Sequence, residues 1–378
     1  MSLMAVATDR KIKVLYCQPG TTVFAGIERV NDEICTELAE TYGDAFDVDV
    51  LLVSEHRNHP PLPRAYTIVR RSGSSRLALM RAFRSVVREK RYDLVVIPQI
   101  EPTVIFWFSC LGLRQPIAMH LHGNPRRESG HLKAKILFFL LRHLVLRRVA
   151  AVFGTSPRQL RAFTDDFNCR RPTVWVPNPV RTFAAPGPDD KPTAGLITFV
   201  NVGRYDYQKG QDILIDAFAA LYKRRQDIRL RLVGHGADKA ALTEQIQRLG
   251  LTDVVTLEYL PDSPERALYA SDVFVATSRW EGWSLAICEA LRCGLPVIST
   301  DCEFGPSDIL IDRRLGQLVP PDDQAALVEA MNSYCDRIAE ERSFADFRRE
   351  NIERYSVGNS AKIHAEAIRQ AVEAAAAA

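Results

Sequence analysis

Two carboxylates eight positions apart, Glu281 and Glu289, flank a short apolar run in WEGWSLAICEALRCG (280–294). The run reads as a helix that starts near Ser284 and is stopped by Gly294 and Pro296. Backbone amides around Gly282, Trp283, Ser284 and Leu285 would then lack helical acceptors. Such a helix start favours an anion by about 0.3–1 kcal/mol from the dipole alone, before any hydrogen bond is counted. A carboxylate that touched the anion would repel it. Each acid is useful if it meets hydroxyls instead, one on a sugar and one on a ribose, with phosphates between them. On a helical wheel Ile287, Cys288 and Leu291 share the core-facing side, and Glu289 and Arg292 lie away from it.

A second group of charges suits the same anion. GRYDYQKG (203–210) places Arg204 and Lys209 between Gly203 and Gly210, just after an apolar run. Arginine supplies a planar fork of donors and lysine a point charge, a plausible clamp for a diphosphate. Taken alone, two such cations are ordinary surface charges. GHGADK (234–239) carries only two glycines of G-x-G-x-x-G, with Lys239 in the third place and no suitably spaced acid. Gly20 and Gly26 in YCQPGTTVFAGIERV (16–30) are too far apart for that motif. A nicotinamide dehydrogenase is therefore disfavoured.

These residues need strand ends to hold them, and the chain supplies many. IKVLYC (12–17), VDVLLV (48–53), DLVVIP (93–98), PIAMHL (116–121), AAVFGT (150–155) and TVWVP (173–177) read as β-strands. LITFVNVG (196–203), IRLRLVG (228–234), VVTLEY (254–259), DVFVAT (272–277) and PVIST (296–300) follow. Amphipathic stretches such as 29–43 and 77–91 lie between them. Near-continuous apolar strands alternating with helices indicate parallel sheets covered on both faces. FAAPGPDDKPTAG (183–195) interrupts the alternation and reads as a linker. The expected division is a domain at 11–182, the linker, a domain at 196–355, and a C-terminal helix at 356–378 that could pack on either domain. An α/β protein of two Rossmann-like domains with a cleft between them is the expected fold, since open parallel sheets bind ligands beyond their strand C-terminal ends.

At 378 residues the chain is longer than single cores usually grow, which agrees with two domains. A net charge of +3 is too small to argue for nucleic acid. None of the eight cysteines forms a C-x-x-C pair, so reduced thiols in a cytoplasmic protein are expected, not disulfides or zinc. No segment has the roughly 18 consecutive apolar residues of a membrane span, and 1–11 lacks the apolar stretch of a signal peptide.

Together the motifs resemble retaining glycosyltransferases of family 4, with the GT-B architecture. The resemblance rests on Glu281-x7-Glu289 before C-G-L-P-V, on Gly203-Arg204…Lys209-Gly210, on G-x-E-R-V (26–30), and on MHLHGNP (119–125) and VPNPV (176–180). It implies that Glu281 binds donor-sugar hydroxyls and Glu289 the ribose, and that Arg204 and Lys209 neutralise the departing diphosphate. It also implies that Gly26 lets backbone approach the phosphates, and that His122 faces the reacting sugar, with His120 as the in-strand alternative. The family commonly has a Gly-Gly pair where this chain has Ala25-Gly26.

The reaction so implied moves a sugar from a UDP- or GDP-sugar to a hydroxyl of a glycan, with retention and without a cofactor. No metal is expected, because the two cations replace it and the one D-x-D, Asp47 to Asp49, opens a strand at the wrong sheet end. HLKAKILFFLLRHLVLRRVA (131–150) reads either as a core helix or as an interfacial helix on anionic lipid. A second basic region holds Arg70, Arg71, Arg76, Arg81, Arg84 and Arg88. Both regions fall in the domain where the family takes its acceptor, and they point to a polyprenyl-diphosphate-linked glycan and to peripheral contact with the inner face of the plasma membrane. CEFGPSDIL (302–310) is similar to a segment of members that build bacterial surface polysaccharides. A nucleotide-sugar epimerase and a non-catalytic nucleotide-sugar-binding protein are the alternatives.

Overall fold

A computed structural model describes residues 10–21, 24, 26–54, 63–73, 75–127, 132–188, 190–261 and 263–377. Ala25 and His131 lie outside the described residues. The chain separates into two compact units, 1–179 with 357–378 and 180–356.

Among its described residues the first unit holds seven strands: β1 (Ile12–Cys17), β2 (Phe46–Leu52), β3 (Thr67–Arg70), β4 (Leu94–Pro98), β5 (Ile117–Leu121), β6 (Ala151–Gly154) and β7 (Thr173–Trp175). They form one parallel sheet in the order β3-β2-β1-β4-β5-β6-β7. Its two faces are packed separately, one around Leu15, Phe83, Val95 and Phe163 and the other around Val14, Ile34, Val96 and Phe153. Alternate residues of the same strand thus enter opposite cores, which is why the strands read as continuous apolar runs. The last helix, Val357–Ala376, packs in this unit, with Ala361, Ala365, Ala367 and Ile368 in the second of those cores.

The second unit holds β8 (Ile197–Val202), β9 (Ile228–Val233), β10 (Val255–Glu258), β11 (Val273–Ala276), β12 (Val297–Thr300) and β13 (Gly316–Val319). They are parallel in the order β10-β9-β8-β11-β12-β13. The boundary between units falls at Pro179–Val180, ahead of the proline-rich 183–195 stretch, because Val180 donates to the Tyr355 carbonyl and bridges to Ser356.

The 131–150 stretch differs from a simple core helix. A helix over Leu132–Leu140 continues as a π-helical turn, Leu141–Val145. Leu141 and Val145 are fully buried, yet Leu132, Ile136 and Phe139 are 74%, 55% and 62% exposed. One face feeds the core and another leaves apolar side chains in solvent, among Lys133, Lys135, Arg142, Arg147 and Arg148. No described helix is long and apolar enough to cross a membrane. All eight cysteines are buried and free.

Candidate functional site

In the second unit two strand-end loops are stitched together. Where β8 ends, Gly203 to Gly210 form a turn anchored by Tyr205, which is fully buried and donates its hydroxyl to the Leu232 carbonyl at 2.6 Å. Where β11 ends, Thr277 donates its hydroxyl to the Gly210 carbonyl at 2.8 Å, and Gln208 donates its amide to the Trp280 carbonyl at 3.0 Å. Gly210 has φ +64, and a Cβ there would fall 2.1 Å from the Thr277 carbonyl oxygen. Only glycine fits that approach. The GHG segment serves the same turn: Tyr205 N–H donates to the His235 carbonyl, and a Cβ on Gly234 would meet the Gly203 carbonyl at 1.9 Å. Its glycines therefore brace the cation loop.

This stitching brings Lys209 to Glu281. Lys209 Nζ lies 2.6 Å from Glu281 Oε1, which also accepts from Ser278 Oγ at 2.8 Å. The glutamate is buried and the lysine half-buried, so the pair is shielded where a mobile surface pair would not be. Arg204 sits on the same loop but its side chain is 63% exposed, held loosely by Asp206 at 3.2 Å and Gln208 at 3.3 Å. Its guanidinium is free to swing onto a ligand at small cost.

The helix after this loop runs Leu285–Arg292 and is capped by Ser284, whose Oγ accepts from Ile287 N–H. It ends in a Schellman turn: Gly294 at φ +87 donates to Leu291 and Leu295 donates to Ala290. Gly282, Trp283 and Ser284 are buried, and a Cβ built on Gly305 (φ +94) would fall 3.1 Å from Trp283 Cα. The Trp283 ring turns inward, edge-on to Tyr355 at 5.1 Å, so this residue offers the site its backbone and not its indole.

Glu289 corrects the helical-wheel expectation. The wheel places it away from the core, but it is buried, with Oε1 3.1 Å from Arg181 Nε. The segment after the unit boundary covers that side of the helix, and Arg181 itself lies over the Phe183 ring at 4.9 Å. A carboxylate without water needs such a partner. Arg181 carries no local sequence signal, since its contact spans 108 positions.

In the first unit, His122 follows β5 and His120 lies within it, both buried, with ring centroids 3.9 Å apart. His364, from the last helix, comes within 5.5 Å of the His120 ring and meets the Tyr16 hydroxyl at 3.3 Å. Burial, reinforced by the neighbouring His364, pushes His122 down to about 3, and burial does the same to His364. Burial also drives His120 well below the ordinary histidine range. These rings are neutral at pH 7, fit to exchange hydrogen bonds and not to supply positive charge. Gly26 opens the helix Gly26–Thr41, and a Cβ built on it meets no atom of the described residues within 4 Å. Asp49 is consumed by Lys90 Nζ at 2.6 Å and by the Tyr92 hydroxyl.

Two parallel-sheet Rossmann-like domains, each presenting polar residues where strands run out, define the GT-B class. The chain belongs to the glycosyl transferases group 1 family: residues 197–337 match that family and 25–179 match the glycosyl transferase 4-like domain. It is 30% identical over 324 residues to the D-rhamnosyltransferase WbpZ of Pseudomonas aeruginosa, covering 81% of each chain. It is 29% identical to a Campylobacter jejuni N-acetylgalactosaminyltransferase named for a diphospho-undecaprenol-linked substrate, over 35% of this chain and 36% of that one. Alignments with several other curated glycosyltransferases span only 28% to 60% of their lengths. Among solved structures, Anabaena HepE in complex with UDP and glucose superposes with a TM-score of 0.77 at 21% identity, over 95% of this chain and 99% of that one.

Proposed function

We propose that this chain transfers a sugar from a nucleoside diphosphate-sugar, UDP- or GDP-linked, to a hydroxyl of a glycan acceptor with retention at the anomeric carbon. The Lys209–Glu281 pair at the start of a capped helix carries the reading. A cation for phosphate oxygens and a carboxylate for sugar hydroxyls stand side by side, and the amides of the turn lie next to them. Glu289 supplies the carboxylate for the ribose. In the reaction the bond from the anomeric carbon to the β-phosphate oxygen breaks and a bond to the acceptor oxygen forms on the same face. The acceptor's proton passes to the departing phosphate oxygen, and the nucleoside diphosphate leaves. Negative charge grows on that phosphate, so its stabilisation by Lys209 and Arg204 is the dominant catalytic term. These two cations take the part a divalent metal would play, and full activity in excess chelator is expected.

The acceptor is proposed to be a polyprenyl-diphosphate-linked glycan of bacterial surface polysaccharide or glycoconjugate assembly, reached at an anionic membrane surface. The exposed Leu132, Ile136 and Phe139 with the surrounding Lys133, Lys135, Arg142, Arg147 and Arg148 support this, as apolar insertion plus several cations is what binds an anionic bilayer. The name of the Campylobacter relative supports the lipid carrier, and the nucleotide and sugar bound in HepE support the donor.

The deciding experiment incubates the protein with a panel of nucleotide-sugars and follows nucleotide release with and without undecaprenyl-diphosphate-linked acceptors. Acceptor-dependent release supports transfer. Conversion of the donor without acceptor indicates an epimerase, and binding without turnover a nucleotide-sugar-binding protein. Flotation should occur with anionic vesicles and weaken in Ile136→Ser/Phe139→Ser; equal flotation on neutral vesicles would remove the membrane part alone.

A further inference from the structure

Gln99 is held in a backbone conformation that almost no residue but glycine adopts. It follows β4 with φ 67 and ψ 167. Two bonds fix it there: its N–H donates to the His120 carbonyl at 2.8 Å, and its own carbonyl accepts from the Thr103 hydroxyl at 2.6 Å. Strain of this kind persists only where the surroundings impose it, and it concentrates at ligand sites. The side chain it presents is not used internally, since Gln99 Oε1 is buried with no partner among the described residues.

The same is true of its neighbours. β4 and β5 are adjacent, with Pro98 opposite His120, so Gln99 and His122 leave the sheet side by side at its C-terminal edge. Asn178 is buried against His122, close enough for a side-chain hydrogen bond that favours the protonated ring. Beyond each other, neither ring nitrogen of His122 nor Asn178 Oδ1 has a partner among the described residues. Three side chains thus bring polar atoms short of hydrogen-bond partners to one sheet edge, and buried polar atoms are seldom left so. None of the three is charged at neutral pH, given how far burial lowers His122. Phosphate would find no cation among them, whereas sugar hydroxyls, which donate and accept, would match them.

We propose that Gln99, with Asn178 and His122, forms a hydroxyl-binding site for the saccharide that reacts here, and that the strained turn serves to present the Gln99 carboxamide to it. This rests on the glycosyltransferase reading and deepens it by adding two residues that contact sugar and not phosphate.

The test compares Gln99→Gly and Gln99→Leu with the full-length wild type. Gln99→Gly relieves the strain and should melt about 2–4 °C higher, yet transfer at least ten-fold more slowly. Gln99→Leu should keep the fold and lose transfer to the same extent, with affinity for free UDP and GDP unchanged in both. Saturation-transfer NMR on wild type with free monosaccharides and nucleotide-sugars should show sugar protons in contact, and Gln99→Leu should abolish the signal. A lower melting temperature for Gln99→Gly overturns the proposal, as does wild-type transfer in both variants. If wild type transfers from no donor, the enzymatic reading fails. A sugar signal that Gln99→Leu abolishes would then preserve the site, and no signal in wild type would sink both.

Discussion

Half-buried Arg181 and buried Glu289 form an ion pair, 3.1 Å from Nε to Oε1, although they stand 108 positions apart. The arginine belongs to the first residues of the second unit and the glutamate to the helix proposed to face the ribose. The pair therefore fixes the Glu289 carboxylate in place, at the cost of the helix depending on a distant side chain.

Removing only one member should be harmful. Arg181→Ala removes a charged hydrogen-bond partner 3.1 Å from the buried Glu289 carboxylate, a loss of about 1–3 kcal/mol. For a unit of this size that lowers the melting temperature by roughly 2–12 °C. Glu289→Leu with Arg181→Ala should recover much of the loss, and a double-mutant cycle of thermal melts measures the coupling. The same two single variants should both weaken UDP or GDP binding in calorimetry. Undiminished nucleotide affinity in Glu289→Ala would remove the ribose role.

Arg204 and Lys209 should separate by stability and not by turnover. Loss of one charge-assisted bond to the leaving phosphate is worth about 1.5–3 kcal/mol, a roughly 10- to 150-fold drop in transfer for either alanine variant. Arg204 is 63% exposed, so Arg204→Ala should melt like wild type. Lys209→Ala strips Glu281 of the cation 2.6 Å away while Ser278 remains, so it should also melt lower. Glu281→Ala should lose more turnover than nucleotide affinity. Near-wild-type transfer in both cation variants would eliminate the clamp.

The architecture was legible in the sequence to an unusual depth, and its gaps have physical causes. Eleven of the thirteen strands among the described residues could be read from sequence alone. The two that could not, β3 and β13, are four-residue edge strands interrupted in pattern, one ending at Arg70 and one beginning at Gly316, whereas the similarly short edge strands β7 and β10 carry apolar runs. Lys209 and Glu281 could be linked because both follow strands, and parallel strands end together. Glu289 was misplaced because a wheel describes one helix and knows nothing of the segment lying over it. Gln99 was invisible for a related reason: its conformation is imposed by His120 and Thr103, while its own type would predict an ordinary φ.

The histidine stack sets an acid limit on the first unit. His122 and His364 fall to about 3 in the folded protein, and His120 falls as well, against about 6.5 unfolded. The unfolded chain therefore binds these protons first. Stability from this source is whole above pH 6.5 and is lost as pH falls towards 3, by up to about 1.4 kcal/mol per histidine per pH unit. Urea midpoints between pH 7 and 5 should drop steeply in wild type and less in His364→Gln, which keeps a partner for the Tyr16 hydroxyl. Equal slopes in the two proteins would mean that His364 is not buried neutral.

Glycines 26 and 210 pose opposite tests of why a side chain is absent. At Gly210, φ +64 and a Cβ only 2.1 Å from the Thr277 carbonyl make any substitution a clash with backbone that cannot yield, so Gly210→Ala should lower the melting temperature and break the 203–210 turn. At Gly26 a Cβ meets nothing within 4 Å among the described residues, so their packing gives no reason for glycine. Gly26→Ala should melt at or slightly above the wild-type temperature, since alanine loses less backbone entropy on folding and suits a helix start. If the phosphates of the donor approach that backbone, the added methyl should still weaken nucleotide-sugar binding and slow transfer by ten-fold or more. A Gly26→Ala protein as active as wild type would show that the helix start at 26 stands clear of the diphosphate, and would leave Arg204, Lys209 and the turn before Leu285 to hold it alone.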